Sequence, residues 1–91
     1  MDQNQECIKY DQACAVCIQQ CDNEALKDGF RDRAFRRKIF EHIQACDCTA
    51  VEAVNAVTEQ YIDALLSLDD PKIKDGAIDI GLIRNQLRKA L

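Results

Sequence analysis

Apolar residues recur along the chain in steps of three and four, the spacing that gathers them on one face of an α-helix. Cys7, Tyr10, Cys14, Cys17 and Cys21 form the first stripe and predict a helix from about Glu6 to Cys21, after which Asp22-Asn23 reads as a turn and cap. A second segment, from about Glu24 to Cys46, carries Leu26, Phe30, Phe35, Ile39, Phe40 and Ile43, and Gly29 is where its first turns break or loosen. Thr49-Ala50-Val51-Glu52 is a capping box, with Thr49 accepting from the third helical amide and Glu52 reaching back. Val54, Val57, Tyr61, Ile62, Leu65 and Leu68 supply the buried face of the helix that follows. Asp69-Asp70-Pro71 stops it and starts the next, with Asp70 as cap and Pro71 at the first helical position. The last segment carries Ile73, Ala77, Ile80, Ile83, Leu87 and Leu91.

The expectation is an all-α single domain over residues 1–91, with four antiparallel helices in a compact bundle or in two stacked hairpins. Two features favour a doubled hairpin. Displaced by 47 positions, Asp22, Lys27, Asp28, Gly29, Asp32 and Arg37 fall on Asp69, Lys74, Asp75, Gly76, Asp79 and Arg84. Charge alternates as well: residues 1–26 carry −4, 27–48 carry +2, 49–70 carry −5 and 71–91 carry +3. Antiparallel neighbours of opposite sign attract, although exposed pairs contribute only ~0.2–1 kcal/mol each.

The segment Leu65-Leu66-Ser67-Leu68-Asp69-Asp70-Pro71-Lys72-Ile73-Lys74, followed by Ala77, resembles the inter-helix junction of HEAT-type helical repeats. Cys21-Asp22-Asn23-Glu24-Ala25-Leu26-Lys27 is a copy of it without the proline. The resemblance implies stacked helix pairs used as a binding scaffold, and repeats of ~40–47 residues suit such pairs.

Composition narrows the function classes. With 47% apolar residues, one Pro and three Gly, the chain favours packed helices over disorder or a turn-rich β fold. No run approaches the ~20 apolar residues that cross a bilayer. The polar, acidic start Met1-Asp2-Gln3-Asn4-Gln5-Glu6 is unlike a secretory leader, so a cytoplasmic location is expected. Six cysteines are then thiols or metal ligands before they are disulfides.

Cys14-x-x-Cys17-x-x-x-Cys21 sets three sulfurs on one helix face, and His42-x-x-x-Cys46-x-Cys48 adds an imidazole and two thiols. Four ligands from this set suit tetrahedral zinc, and a thiolate stripe suits copper(I). The stripe resembles the four-helix copper-storage proteins, which implies inward cysteines as ligands. The alternative stays open: under the same displacement Cys7, Cys14, Cys17 and Cys21 fall on Val54, Tyr61, Ala64 and Leu68, as core positions would. Free cysteine packs as a small hydrophobe.

Nothing assembles a catalytic centre: there is one histidine, no tryptophan, no phosphate-binding glycine loop and no nucleophile elbow. The acidic balance opposes nucleic acid as a partner. The run Arg31-Asp32-Arg33-Ala34-Phe35-Arg36-Arg37-Lys38 sets Phe30 and Phe40 on the Arg33/Arg37 side of its helix, a composition that interfaces enrich. The sequence thus predicts a non-catalytic interaction module that needs no cofactor. It would present Phe30, Arg33, Arg37 and Phe40 to a protein partner or to a second copy. The rival is a zinc or copper thiolate protein using Cys14, Cys17, Cys21, His42, Cys46 and Cys48.

Overall fold

The computed structural model describes residues 3–68 and 70–91, apart from the side chains of residues 72, 73 and 74. Met1, Asp2, the helix stop expected at Asp69 and the side chains of Lys72, Ile73 and Lys74 lie outside them. The described chain is helical without strands: α1 (Gln3–Gln20), α2 (Glu24–Arg31), α3 (Arg33–Cys46), α4 (Ala50–Leu66) and α5 (Pro71–Ala90). The expected all-α class holds, and the expected count of four is corrected to five.

The extra boundary falls at Asp32 and not at Gly29. Asp32 adopts extended backbone (φ −64°, ψ 118°), ending α2 and capping α3 at once. Its Oδ1 accepts from the N–H groups of Ala34 at 2.8 Å and Phe35 at 3.2 Å. A short acidic side chain that bonds the backbone ahead of it offers an alternative to the continuous ladder, and the helix restarts there. Gly29 stays helical. Its missing Cβ is used for contact, because a Cβ there would collide with Ile83 Cδ1 on α5.

The other boundaries follow the local chemistry. Asn23 caps α2 by accepting from the Ala25 N–H at 3.0 Å. Asp47, in left-handed backbone (φ 49°, ψ 49°), ends α3. Thr49 Oγ1 accepts from the Glu52 N–H at 3.2 Å, its half of the predicted capping box. Pro71 opens α5, where its missing N–H costs nothing.

One core runs through all five helices. Helix α1 packs against every other helix, while α4 and α5 form the most extensive pair. Tyr10, Ile39, Ile43, Val54, Thr58 and Leu87 are fully buried, and Thr58 donates its hydroxyl to Val54 O at 2.6 Å. Tyr10 meets Phe40 edge to face, with centroids 6.0 Å apart. Arg36 lies 4.3 Å above the Phe40 ring and grips Asp11 with two hydrogen bonds of 2.8 and 3.0 Å, binding α3 to α1.

The two halves of the chain are not packed alike. All four stripe cysteines of α1 are buried, yet of their counterparts only Val54 is buried, while Tyr61 is half-buried and Ala64 and Leu68 are exposed. Helix α1 has neighbours along its whole inner face, whereas the end of α4 lacks cover on one side.

Candidate functional site

Four of the six thiols are spread along α1 and its end, and two lie at the end of α3 and in the connection after it. Cys7, Cys14 and Cys17 point inward from α1, and Cys21 follows its last turn with its sulfur 3.5 Å from Asn23 O. Cys48 is buried in the α3–α4 connection with its sulfur 3.8 Å from His42 O, and Cys46 is exposed. Gln3 at the start of α1 donates to Gln44 O and to Asp47 Oδ1. The Cys46–Cys48 turn therefore sits beside the start of α1. Cys21 lies eighteen residues further along, about 27 Å at 1.5 Å per residue. His42 is half-buried in a shallow depression with Lys38, Glu41, Val57 and Gln60, between α3 and α4.

Burial governs the electrostatics of these groups. It pushes the Cys14 thiol up to about 11, with help from neighbouring Cys17. It also raises the thiols of Cys7, Cys17 and Cys48 and the hydroxyl of Tyr10. The buried Tyr10 hydroxyl lies beside the Cys14 sulfur without a well-formed hydrogen bond. Metal binding and nucleophilic attack both need the thiolate, which these surroundings disfavour.

The metal-thiolate expectation is corrected on this geometry. Cys14, Cys17 and Cys21 share a face, but His42, Cys46 and Cys48 do not come to it. Among the described residues no three His, Cys, Asp or Glu side chains form a group that could hold a metal ion.

The four residues expected to contact a partner do not share one surface either. Phe30 is 5% exposed within the core, and Phe40 is half-buried between Tyr10 and Arg36. Arg33 and Arg37 are exposed on α3, and neither makes an ion pair among the described residues.

Large apolar side chains are exposed elsewhere, on α1 at Ile8 (54%) and Val16 (41%) and on the α4–α5 hairpin. Leu66 (54% exposed) and Leu68 (50%) end α4, and Ile78 (62%) and Leu82 (43%) stand one turn apart on α5. Ile78 and Leu82 fall off the Ala77–Ile80–Ile83–Leu87 stripe, on the side of α5 turned from Gly76, which faces Leu65 of α4. That leftover apolar pair was the sequence signal for this surface. Leu68 was expected in the core because the spacing of α4 continues through it.

Comparison with known families then decides the kind of protein. A family model described as "PEP-utilising enzyme, N-terminal" matches residues 2–75. The chain belongs to this family. No curated protein and no solved structure matches it. The PEP-utilising enzyme N-terminal match takes in all of α1 to α4 and the first turn of α5, hence the thiol stripe, the Asp32 break and Leu66–Leu68. It overturns the expected function: a non-catalytic module presenting a helix face to a protein partner or to itself, or a metal-thiolate protein, gives way to a helical domain of a family of PEP-utilising enzymes. The resemblances to HEAT-type repeats and to copper-storage proteins gain no support from it. No helix of the described residues is long and apolar enough to cross a membrane.

Proposed function

We propose that this chain serves a PEP-utilising phosphotransfer enzyme as a helical accessory domain, packing against the phosphoryl-carrying part of that enzyme and making or breaking no bond itself. The observation that carries the reading is the exposure of Leu66 and Leu68 at the end of α4 and of Ile78 and Leu82 along α5. Large aliphatic side chains left in water on both helices of one hairpin mark surfaces suited to being covered. Burying them yields about 25 cal/mol for each Å² removed from water. The family match says what kind of machine would supply the cover.

The chain's own chemistry fits a supporting role. Five of its six thiols are buried, and among the described residues its one histidine belongs to no cluster of carboxylates or thiols that could hold a metal ion. Arg33 and Arg37 are free to add charge to the contact, steering approach more than setting affinity.

The test is complementation. A PEP-utilising enzyme lacking its helical domain is assayed for phosphoryl transfer from PEP with this chain added in trans. The wild-type chain restores transfer, and the folded Ile78→Glu/Leu82→Glu variant does not. Equal restoration by both, or none by the wild type, refutes the proposal.

A further inference from the structure

Behind the α2–α3 break lies a half-open cavity of about 130 Å³, lined by Gly29, Asp32, Phe35, Tyr61, Ile80 and Ile83. Four of its six lining residues, Phe35, Tyr61, Ile80 and Ile83, bring aromatic or aliphatic side chains to it. Phe35 and Tyr61 stand 5.7 Å apart, tilted by 47°, and Ile80 and Ile83 close the space from α5. Gly29 contributes bare backbone. The volume is that of one small ring, since an apolar cavity of roughly 150 Å³ in another protein stays dry and takes up benzene.

The charged groups around it select the ligand. Asp32 Oδ1 accepts from two backbone N–H groups, which fixes the carboxylate and leaves Oδ2 with free lone pairs. An anion would be repelled by it. The Lys38 ammonium, 5.2 Å from the Tyr61 ring centroid, opposes a cation. The larger open cleft of about 580 Å³ between the ends of α1 and α5 has Asp22 and Lys89 on its rim and selects no charge at all.

The geometry points to a binding site at the α2–α3 break for a small uncharged aromatic molecule bearing one hydrogen-bond donor, of the phenol class. Its ring fills the space between Phe35, Tyr61 and the two isoleucines, and its hydroxyl donates to Asp32 Oδ2. This site is separate from the α4–α5 surface and independent of the phosphotransfer reading.

The test is titration of the full-length ¹⁵N-labelled chain with phenol, benzene and benzoate, read from amide shifts. Phenol gives saturable shifts centred on Gly29, Phe35, Tyr61 and Ile83. Benzene binds about tenfold more weakly, the loss of one charge-assisted hydrogen bond, and benzoate does not bind. Ile80→Phe fills the cavity and abolishes the phenol shifts. Asp32→Asn keeps a capping acceptor while removing the charge, so phenol loses its advantage over benzene and benzoate is no longer excluded. No saturable shift with phenol in the wild type overturns the proposal. So does a phenol response that is undiminished in folded Ile80→Phe, or a phenol preference unchanged in Asp32→Asn.

Discussion

Ile83 of α5 lays its Cδ1 where a Cβ of residue 29 would stand, so α2 and α5 meet at the bare backbone of Gly29. Two effects then compete when Gly29 is replaced by alanine. Helix propensity gains about 1 kcal/mol. Overpacking costs about 1–3 kcal/mol, and Ile83, only 8% exposed, has to swing its methyl into the neighbouring cavity of about 130 Å³ to make way. Gly29→Ala is expected to lower stability by about 1 kcal/mol in urea unfolding. Ile83→Val removes the colliding methyl, so the double variant recovers most of that loss. A double-mutant cycle with no coupling would show that the helices do not touch there.

The thiols report on burial. Cys46 is the exposed one, and it is expected to react first with an alkylating reagent, while Cys7, Cys14, Cys17 and Cys48 react only as the fold opens. Mass spectrometry of a timed alkylation counts them. Early labelling of Cys14 or Cys17 would show that α1 does not bury its stripe.

Stability should fall in alkali. Cys14 is held up to about 11 in the folded chain against 9.0 for the ordinary thiol, so between those values the unfolded chain sheds its proton first. Stability from this group is complete below pH 9.0, declines above it and levels off past the folded value. Buried Tyr10, also raised, extends the decline. Urea midpoints measured across this range should drop in the wild type and drop less in Cys14→Ala. A flat profile would contradict the burial of both groups.

The Arg36–Asp11 pair separates charge from cover. Both side chains are about half exposed, so the ion pair itself is worth at most ~1 kcal/mol and weakens with salt. Arg36 also shields the Phe40 ring. Arg36→Ala is therefore expected to cost more than Asp11→Asn, with a difference that salt does not remove. Equal costs that vanish together in salt would leave only the ion pair.

Much of the fold was legible because helices announce themselves locally. The Cys7-to-Cys21 stripe, the Thr49 cap and Pro71 at the start of α5 were all readable from spacing and side-chain chemistry. The Asp32 break was not, since an aspartate inside an apolar-periodic segment reads as a solvated residue until its carboxylate is seen bonding the backbone ahead. Nor could periodicity say how far the partners of a stripe extend. Leu68 continues the spacing of α4 and lies exposed, while Phe30 sits off the expected face of a single helix and becomes core once α2 turns away from α3. The cysteines suggested ligands by spacing along the chain. Their separation along the 27 Å or so of α1 depends on which ends of α1 and α3 meet, and that is a tertiary fact.

The most direct measurement of the central claim is methyl NMR of the labelled chain with and without the phosphoryl-carrying part of a PEP-utilising enzyme. The account predicts that the methyl signals of Leu66, Leu68, Ile78 and Leu82 shift or broaden together on addition, while the core signals of Ile39 and Ile43 stay in place. Unchanged signals from all four, or changes confined to other faces of the molecule, would contradict it.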